Sequence, residues 1–127
     1  MAFDDLTDAD LAAASGAVAA AALRAARLEA TRRLLAGPGA GASTDPNEAL
    51  EVLMTSDHRD PRYELLHAFE KPWALLVVRI LATVCDPTPA IADARLRGVT
   101  VPAIAKTLGV SHQAIYSRYA DVVRKPR

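Results

Sequence analysis

Residues 99–123, VTVPAIAKTLGVSHQAIYSRYADVV, carry the clearest structural signal in this chain. Thr100 is a helix-capping residue type, and Pro102 is tolerated in a first helical turn, so a short helix is predicted to begin here. Gly109 stands where a residue in the left-handed conformation commonly ends a helix. Ser111 is a favourable N-cap for a second helix. The pattern therefore predicts two short helices joined by a tight corner.

The spacing of apolar residues predicts which side of the second helix is buried. At about 100° per residue, Ile115, Tyr119 and Val122 fall on one side and form a predicted core stripe. The outward side of the first two turns presents an amide, a hydroxyl, a phenol and an imidazole. These groups belong to Gln113, Ser117, Tyr116 and His112. Such groups can hydrogen-bond to base edges and phosphates of nucleic acid.

The helix before the corner and the segment preceding it complete a three-helix pattern. Ile104, Ala105 and Leu108 mark the predicted buried side of the first helix, and Val110 is an apolar residue suited to the corner between the two helices. Residues 88–97 predict a further helix, with Ile91 and Ala94 on its apolar side and Gly98 closing it. No convincing strand pattern occurs anywhere, so the predicted fold class is all-α.

The segment VPAIAKTLGVSHQAIYSRYA resembles a bacterial helix-turn-helix unit, and LGVSHQAIYSRY is similar to the DNA-binding segments of site-specific invertases and resolvases and of many small bacterial regulators. The resemblance covers about residues 88–123. It implies that the residues just after the Ser111 cap and one turn later enter the major groove. The implied base-reading residues are His112, Gln113, Tyr116 and Ser117. The implied phosphate contacts are Thr100, Lys106, Ser111, Arg118, Arg124, Lys125 and Arg127.

Two departures limit what this resemblance implies. Repressor-type units often have an apolar residue where this chain has Arg118, and Tyr119 takes the packing role instead, which favours the invertase-like variant. Nothing upstream resembles the strand-rich catalytic domain of a recombinase, so a recombinase is not expected. Only RKPR follows Val123, so a three-helix unit without a β-wing is expected, and this basic tail is either a DNA-contacting arm or a frayed terminus.

The charge distribution supports a polyanion-binding end. The formal net charge is zero, but residues 1–85 contain 8 basic and 12 acidic side chains, whereas residues 86–127 contain 7 basic and 3 acidic ones. An acidic part joined to a basic part is a modest indication of nucleic-acid binding.

The remainder of the chain divides into three segments. Residues 1–36 predict one long helix starting near Thr7, and residues 37–45 form a linker rich in glycine and proline. Residues 46–85 predict short central helices over 46–54, 61–69 and 72–84, the last two separated by Glu70-Lys71-Pro72. Residues 86–127 hold the DNA-binding region.

The long first helix has a heptad seam of mostly small residues, which permits close helix–helix approach. One line of the seam is Leu11, Val18, Ala25 and Arg32, and the other is Ala14, Ala21, Leu28 and Leu35. Packing of this seam onto its own domain is slightly favoured over a dimer contact, and both remain open.

Other functional classes receive little support. Cys85 is the only cysteine, which indicates a buried free thiol and a reducing compartment. The acidic N-terminus does not fit a signal peptide, and the apolar run 11–23 is shorter than the ~20 residues that cross a bilayer, so a cytoplasmic protein without membrane contact is predicted. His58-Arg59-Asp60 lacks every other kinase motif, and His67 with Glu70 lacks further metal ligands.

The sequence thus predicts an all-α helical bundle with a C-terminal helix-turn-helix. Its expected function is sequence-specific binding of double-stranded DNA as a homodimeric transcriptional regulator, without a cofactor, a metal or enzymatic activity. The alternative is a helical protein–protein interaction module of a transcription or DNA-processing complex. The sequence does not indicate whether a small-molecule effector exists.

Overall fold

A computed structural model describes residues 2–123, and every regular element within them is helical. The eight helices are α1 (Asp8–Ala36), α2 (Pro46–Thr55), α3 (Pro61–His67), α4 (Glu70–Leu81), α5 (Thr88–Leu96), α6 (Val101–Leu108), α7 (His112–Arg118) and α8 (Ala120–Val123). The predicted all-α class is confirmed.

Helix α1 begins with a complete capping box. The Thr7 side chain accepts a hydrogen bond from the Asp10 amide, and the Asp10 carboxylate accepts one from the Thr7 amide. Only the second half of this helix packs on the body of the protein, through Ala26, Ala30 and Leu34, against α2 and α4. The small side chains of Ala26 and Ala30 let the helices approach closely.

The first half of α1 packs on nothing within the described chain. All residues from 2 to 21 are exposed, including Leu11 and Val18. The prediction that the heptad seam packs onto its own domain is therefore wrong for this half, and only Leu28 and Leu35 of the seam are partly buried against the core. By length and composition alone α1 is apolar enough to cross a membrane, a property shared by core helices and signal sequences.

Helix α4 is the central helix of the bundle and packs against α1, α5 and α6. Its buried residues include Trp73, Val77, Val78 and Leu81, so Trp73 is a core aromatic as predicted, while Phe69 is only half-buried. Burial of these large side chains is the main favourable contribution to the fold.

The boundaries of the central helices differ from those predicted. Glu70-Lys71-Pro72 forms the first turn of α4 rather than a break, because the first amides of a helix need no intrahelical acceptor and Pro72 costs no hydrogen bond there. Helix α3 ends at His67 and α4 at Leu81, both earlier than predicted. Cys85 follows the end of α4 and is half-buried rather than buried.

A buried polar cluster fixes α5 against α4. The carboxylate of Glu70 accepts hydrogen bonds from the Tyr63 hydroxyl at 2.9 Å and from the guanidinium of Arg97. Arg97 also donates to Asp93 at 2.8 Å. Burial acts to raise the pKa of Glu70, but the hydrogen bonds from Tyr63, His67 and Arg97 outweigh it and hold the pKa below its usual value. The cluster therefore contains a charged carboxylate at neutral pH and orients the C-terminal helices.

Candidate nucleic-acid interface

The corner between α6 and α7 is built as the sequence predicts. Gly109 has φ 69° and ψ 33°, which is the left-handed conformation that glycine adopts without strain. Its amide donates to the Lys106 carbonyl at 3.2 Å, and the Val110 amide donates to the Ala105 carbonyl at 3.0 Å. These bonds satisfy the last carbonyls of α6, so the helix ends at a defined residue and the chain turns sharply.

Both predicted N-caps are present. The Thr100 hydroxyl accepts a hydrogen bond from the Ala103 amide at 3.3 Å, and the Ser111 hydroxyl accepts one from the Ala114 amide at 3.1 Å. Each cap satisfies a helical amide that would otherwise lack a partner. The starting residues of α6 and α7 are therefore fixed by side chains that the sequence identifies.

Helix α7 is anchored through Ile115, which is fully buried, and α6 is anchored through Ile104, which is also fully buried. Helix α6 packs directly against α7. Val110 and Leu108 are partly buried against the same core. One side of α7 is thus held by apolar contacts, which leaves the opposite side to face solvent.

The predicted core stripe of α7 is only partly correct. The helix ends at Arg118, and Tyr119 interrupts it with φ −126° and ψ 29°. The short helix α8 then packs against α5, with Val123 buried, whereas Tyr119 and Val122 are half-buried. The interruption changes the orientation of the last turn, which is why Val123 takes the place predicted for Val122.

The four predicted base-reading residues lie together on α7. His112, Gln113 and Ser117 are exposed, and Tyr116 is 45% exposed. His112 and Tyr116 are one turn apart, as are Gln113 and Ser117, so the two pairs form adjacent rows on the helix surface. No other part of the described protein covers this polar face. It measures about two helical turns, roughly 10 Å.

One exposed cation precedes this polar face in the sequence, and another follows it. Lys106 on α6 and Arg118 at the end of α7 are both exposed, as are the capping residues Thr100 and Ser111. The hydroxyls of these two caps already accept amide hydrogen bonds, but each retains a proton to donate. The predicted phosphate contacts Arg124, Lys125 and Arg127 lie outside the described residues.

The positive charge of the C-terminal part is not all available to a ligand. The side chain of Arg97 is 8% exposed and is neutralised by Glu70 and Asp93. Arg95 donates to the Val99 carbonyl at 2.8 Å, across the link between α5 and α6. Both arginines count toward the basic excess of the sequence, yet they hold the fold together.

The sequence patterns described above did not predict the structural role of Arg97. Its pairing with Asp93, four residues earlier on the chain, follows a common helical spacing and could have been found. Its pairing with Glu70, 27 residues away, carries no local signal.

No family model, curated protein or solved structure matches this chain. The described residues also contain no group of three or more His, Cys, Asp and Glu side chains able to hold a metal ion. Any assignment of function therefore depends on the geometry of α5, α6 and α7 and on the chemistry of their exposed side chains.

Proposed function

We propose that this protein binds double-stranded DNA sequence-specifically, as a homodimeric transcriptional regulator of the bacterial cytoplasm with no catalytic activity. The proposed DNA-binding unit is a helix-turn-helix formed by α5, α6 and α7, with α7 as the recognition helix. The observation that carries the proposal is the uncovered polar face of α7, opposite the buried Ile115. A helix held in this way can enter a major groove about 12 Å wide.

The proposed division of labour follows from side-chain chemistry. Gln113 offers both a donor and an acceptor and suits bidentate recognition of adenine. His112, Tyr116 and Ser117 supply further hydrogen-bonding groups around it. Lys106 and Arg118 would neutralise phosphates on either side of the groove, where charge governs affinity but not sequence choice.

The homodimer is part of the same proposal for an energetic reason. One small unit buries little surface on DNA and discriminates poorly among sites, whereas two units on an inverted repeat combine their contacts.

Selection of bound sequences from random duplex DNA, repeated at two salt concentrations, tests the proposal. Recovery of an inverted repeat is expected, with affinity that falls as salt rises. Arg59→Ala is a suitable control variant, because Arg59 is strongly exposed on the loop between α2 and α3 and, among the residues that the structure describes, bonds only Asp57. Failure to enrich any sequence at either salt concentration would refute the proposal.

The alternative function is a helical module that docks on a protein. The exposed apolar side of the first half of α1, which includes Leu11 and Val18, is the observation that favours it. Binding to a partner protein with little dependence on salt, together with no enrichment of DNA, would support this alternative.

A further inference from the structure

The exposed half of α1 has an apolar face that points away from the body of the protein. Leu11, Ala14, Val18 and Ala21 are exposed, and Val18 is 69% exposed. At about 100° per residue this face lies roughly opposite the one that α1 buries. A partner helix could therefore lie along it, on the side away from the face that packs on α2 and α4. An uncovered apolar face of this length on a helix marks an interaction surface.

The pattern of sizes along the face fits an antiparallel copy of the same helix. In heptad terms Leu11 and Val18 occupy one seam position, and Ala14 and Ala21 the other. An antiparallel pair brings unlike seam positions together, so that Leu11 lies opposite Ala21 and Val18 opposite Ala14 of the second copy. Each large side chain then meets a small one, which fills the space between the helices.

The charges that flank the seam favour the same antiparallel alignment, in which Leu11 lies opposite Ala21 of the second copy. Asp10 and Arg24 are two heptads apart and occupy the same flanking position. In the antiparallel register defined above, Asp10 of one copy lies across from Arg24 of the other, and two-fold symmetry creates this ion pair twice. Both side chains belong to exposed residues, so both are accessible to a second copy.

A parallel pair is disfavoured by the same residues. It would gather the acidic residues Asp8 and Asp10 of both copies at one end of the paired segment. It would also place alanine against alanine at two seam layers, leaving gaps. Like charges placed together destabilise helix pairs.

We infer that α1 is the dimerisation element and that residues 8–24 of two copies pair in antiparallel orientation, with Asp10 against Arg24. This inference deepens the homodimer contained in the proposed function and is independent of DNA binding. The small side chains bury less than the about 800 Å² per partner of a standard interface. The expected dissociation constant is therefore on the order of micromolar.

Charge exchange tests the register through sedimentation equilibrium without DNA. Arg24→Glu is expected to weaken the dimer roughly tenfold, because two attractions become repulsions. Asp10→Lys should weaken it more, because it also removes the carboxylate that accepts a hydrogen bond from the Thr7 amide at the start of α1. The double variant carries the same loss of the cap and should bind more tightly than Asp10→Lys, since it restores the two attractions. Asn47→Ala is the matched control, because it removes the one hydrogen bond that the Arg24 side chain makes within residues 2–123, at 3.4 Å, without changing charge.

Disulfide trapping tests the orientation. In a Cys85→Ser background, Ala14→Cys and Val18→Cys are purified separately, then mixed and oxidised gently. The antiparallel register predicts covalent dimers containing one chain of each variant and few from either variant alone. A parallel pair would instead yield dimers of each variant with itself.

Three results would overturn the inference: a monomer at every concentration, a double variant as weak as Asp10→Lys, or self-linked cysteine dimers. Monomeric protein that instead sediments with phosphatidylglycerol vesicles would assign the apolar face to a membrane. Because none of these assays contains DNA, a dimer that fails to select DNA would refute only the proposed function. DNA selection by a protein that fails these assays would refute only the α1 pairing.

Discussion

The guanidinium of Arg97 lies over the indole ring of Trp73, 4.9 Å from the ring centre, while it pairs with Glu70 and Asp93. The indole amine of Trp73 in turn donates to the Thr31 hydroxyl at 3.1 Å. This sequence of contacts joins α1, α4 and α5. It holds the start of the proposed DNA-binding unit against the rest of the protein.

Arg97→Ala is expected to destabilise the protein by about 3–5 kcal/mol, because it leaves the buried carboxylate of Glu70 without its cationic partner. Arg97→Lys should recover little of this loss, since an ammonium group cannot both bridge two carboxylates and stack on the indole ring. Urea denaturation measures the effect. Arg59→Ala, at a strongly exposed residue, should stay within about 0.5 kcal/mol of wild type. An Arg97→Ala variant as stable as that control would contradict the prediction.

Stability should decline in acid because of Glu70. Its pKa in the folded protein lies below the usual value of 4.5, so the unfolded chain takes up this proton first as the pH falls. The stabilisation that ionised Glu70 contributes is therefore complete above its pKa in the unfolded chain. It is lost as the pH drops through its pKa in the folded protein. Urea midpoints measured from neutral pH downward should fall more steeply for wild type than for Glu70→Gln. Equal slopes below pH 4.5 would show that another group governs acid unfolding.

Two glycine substitutions should have opposite effects. Gly109→Ala is expected to cost about 1–2 kcal/mol, because an alanine side chain is strained in the left-handed conformation that ends α6. Gly16→Ala lies within the exposed part of α1, where a new Cβ meets nothing within 4 Å. It should increase the helicity of α1, since alanine is the better helix former. Urea denaturation and far-ultraviolet circular dichroism measure the two effects, and a neutral Gly109→Ala would contradict the proposed corner.

Gln113 and Lys106 should affect DNA binding in different ways. Gln113→Ala is expected to remove the base preference at one position of each half-site. The binding free energy that distinguishes the preferred base at that position should fall by about 1–3 kcal/mol. Lys106→Ala should weaken binding to all sequences alike and make the slope of log affinity against log salt shallower by about one. Titration of selected and scrambled duplexes at several salt concentrations separates the two effects. Identical behaviour of the variants would refute this division of labour.

Local signals in the sequence were sufficient to predict much of the candidate site. The caps at Thr100 and Ser111 and the left-handed Gly109 are encoded within a few residues of where they act, and all three are present. The exposure of Gln113 and Ser117 followed from their helical spacing relative to Ile115. Such features depend on short-range sterics and hydrogen bonding, which the neighbouring residues specify.

The remaining features required tertiary structure. The interruption at Tyr119 and the burial of Val123 depend on how α8 packs against α5. The absence of Arg97 from the basic surface depends on Glu70, which lies far away in sequence.

The sequence by itself determined the helical class, the capped corner and the polar face of α7, since each arises from a periodic or local pattern. Only the tertiary structure decided which face of α1 is buried and which charges are neutralised inside the fold. Both faces of α1 contain small apolar residues, so composition could not distinguish them. The choice depends on the shapes of α2 and α4, onto which Ala26 and Ala30 fit.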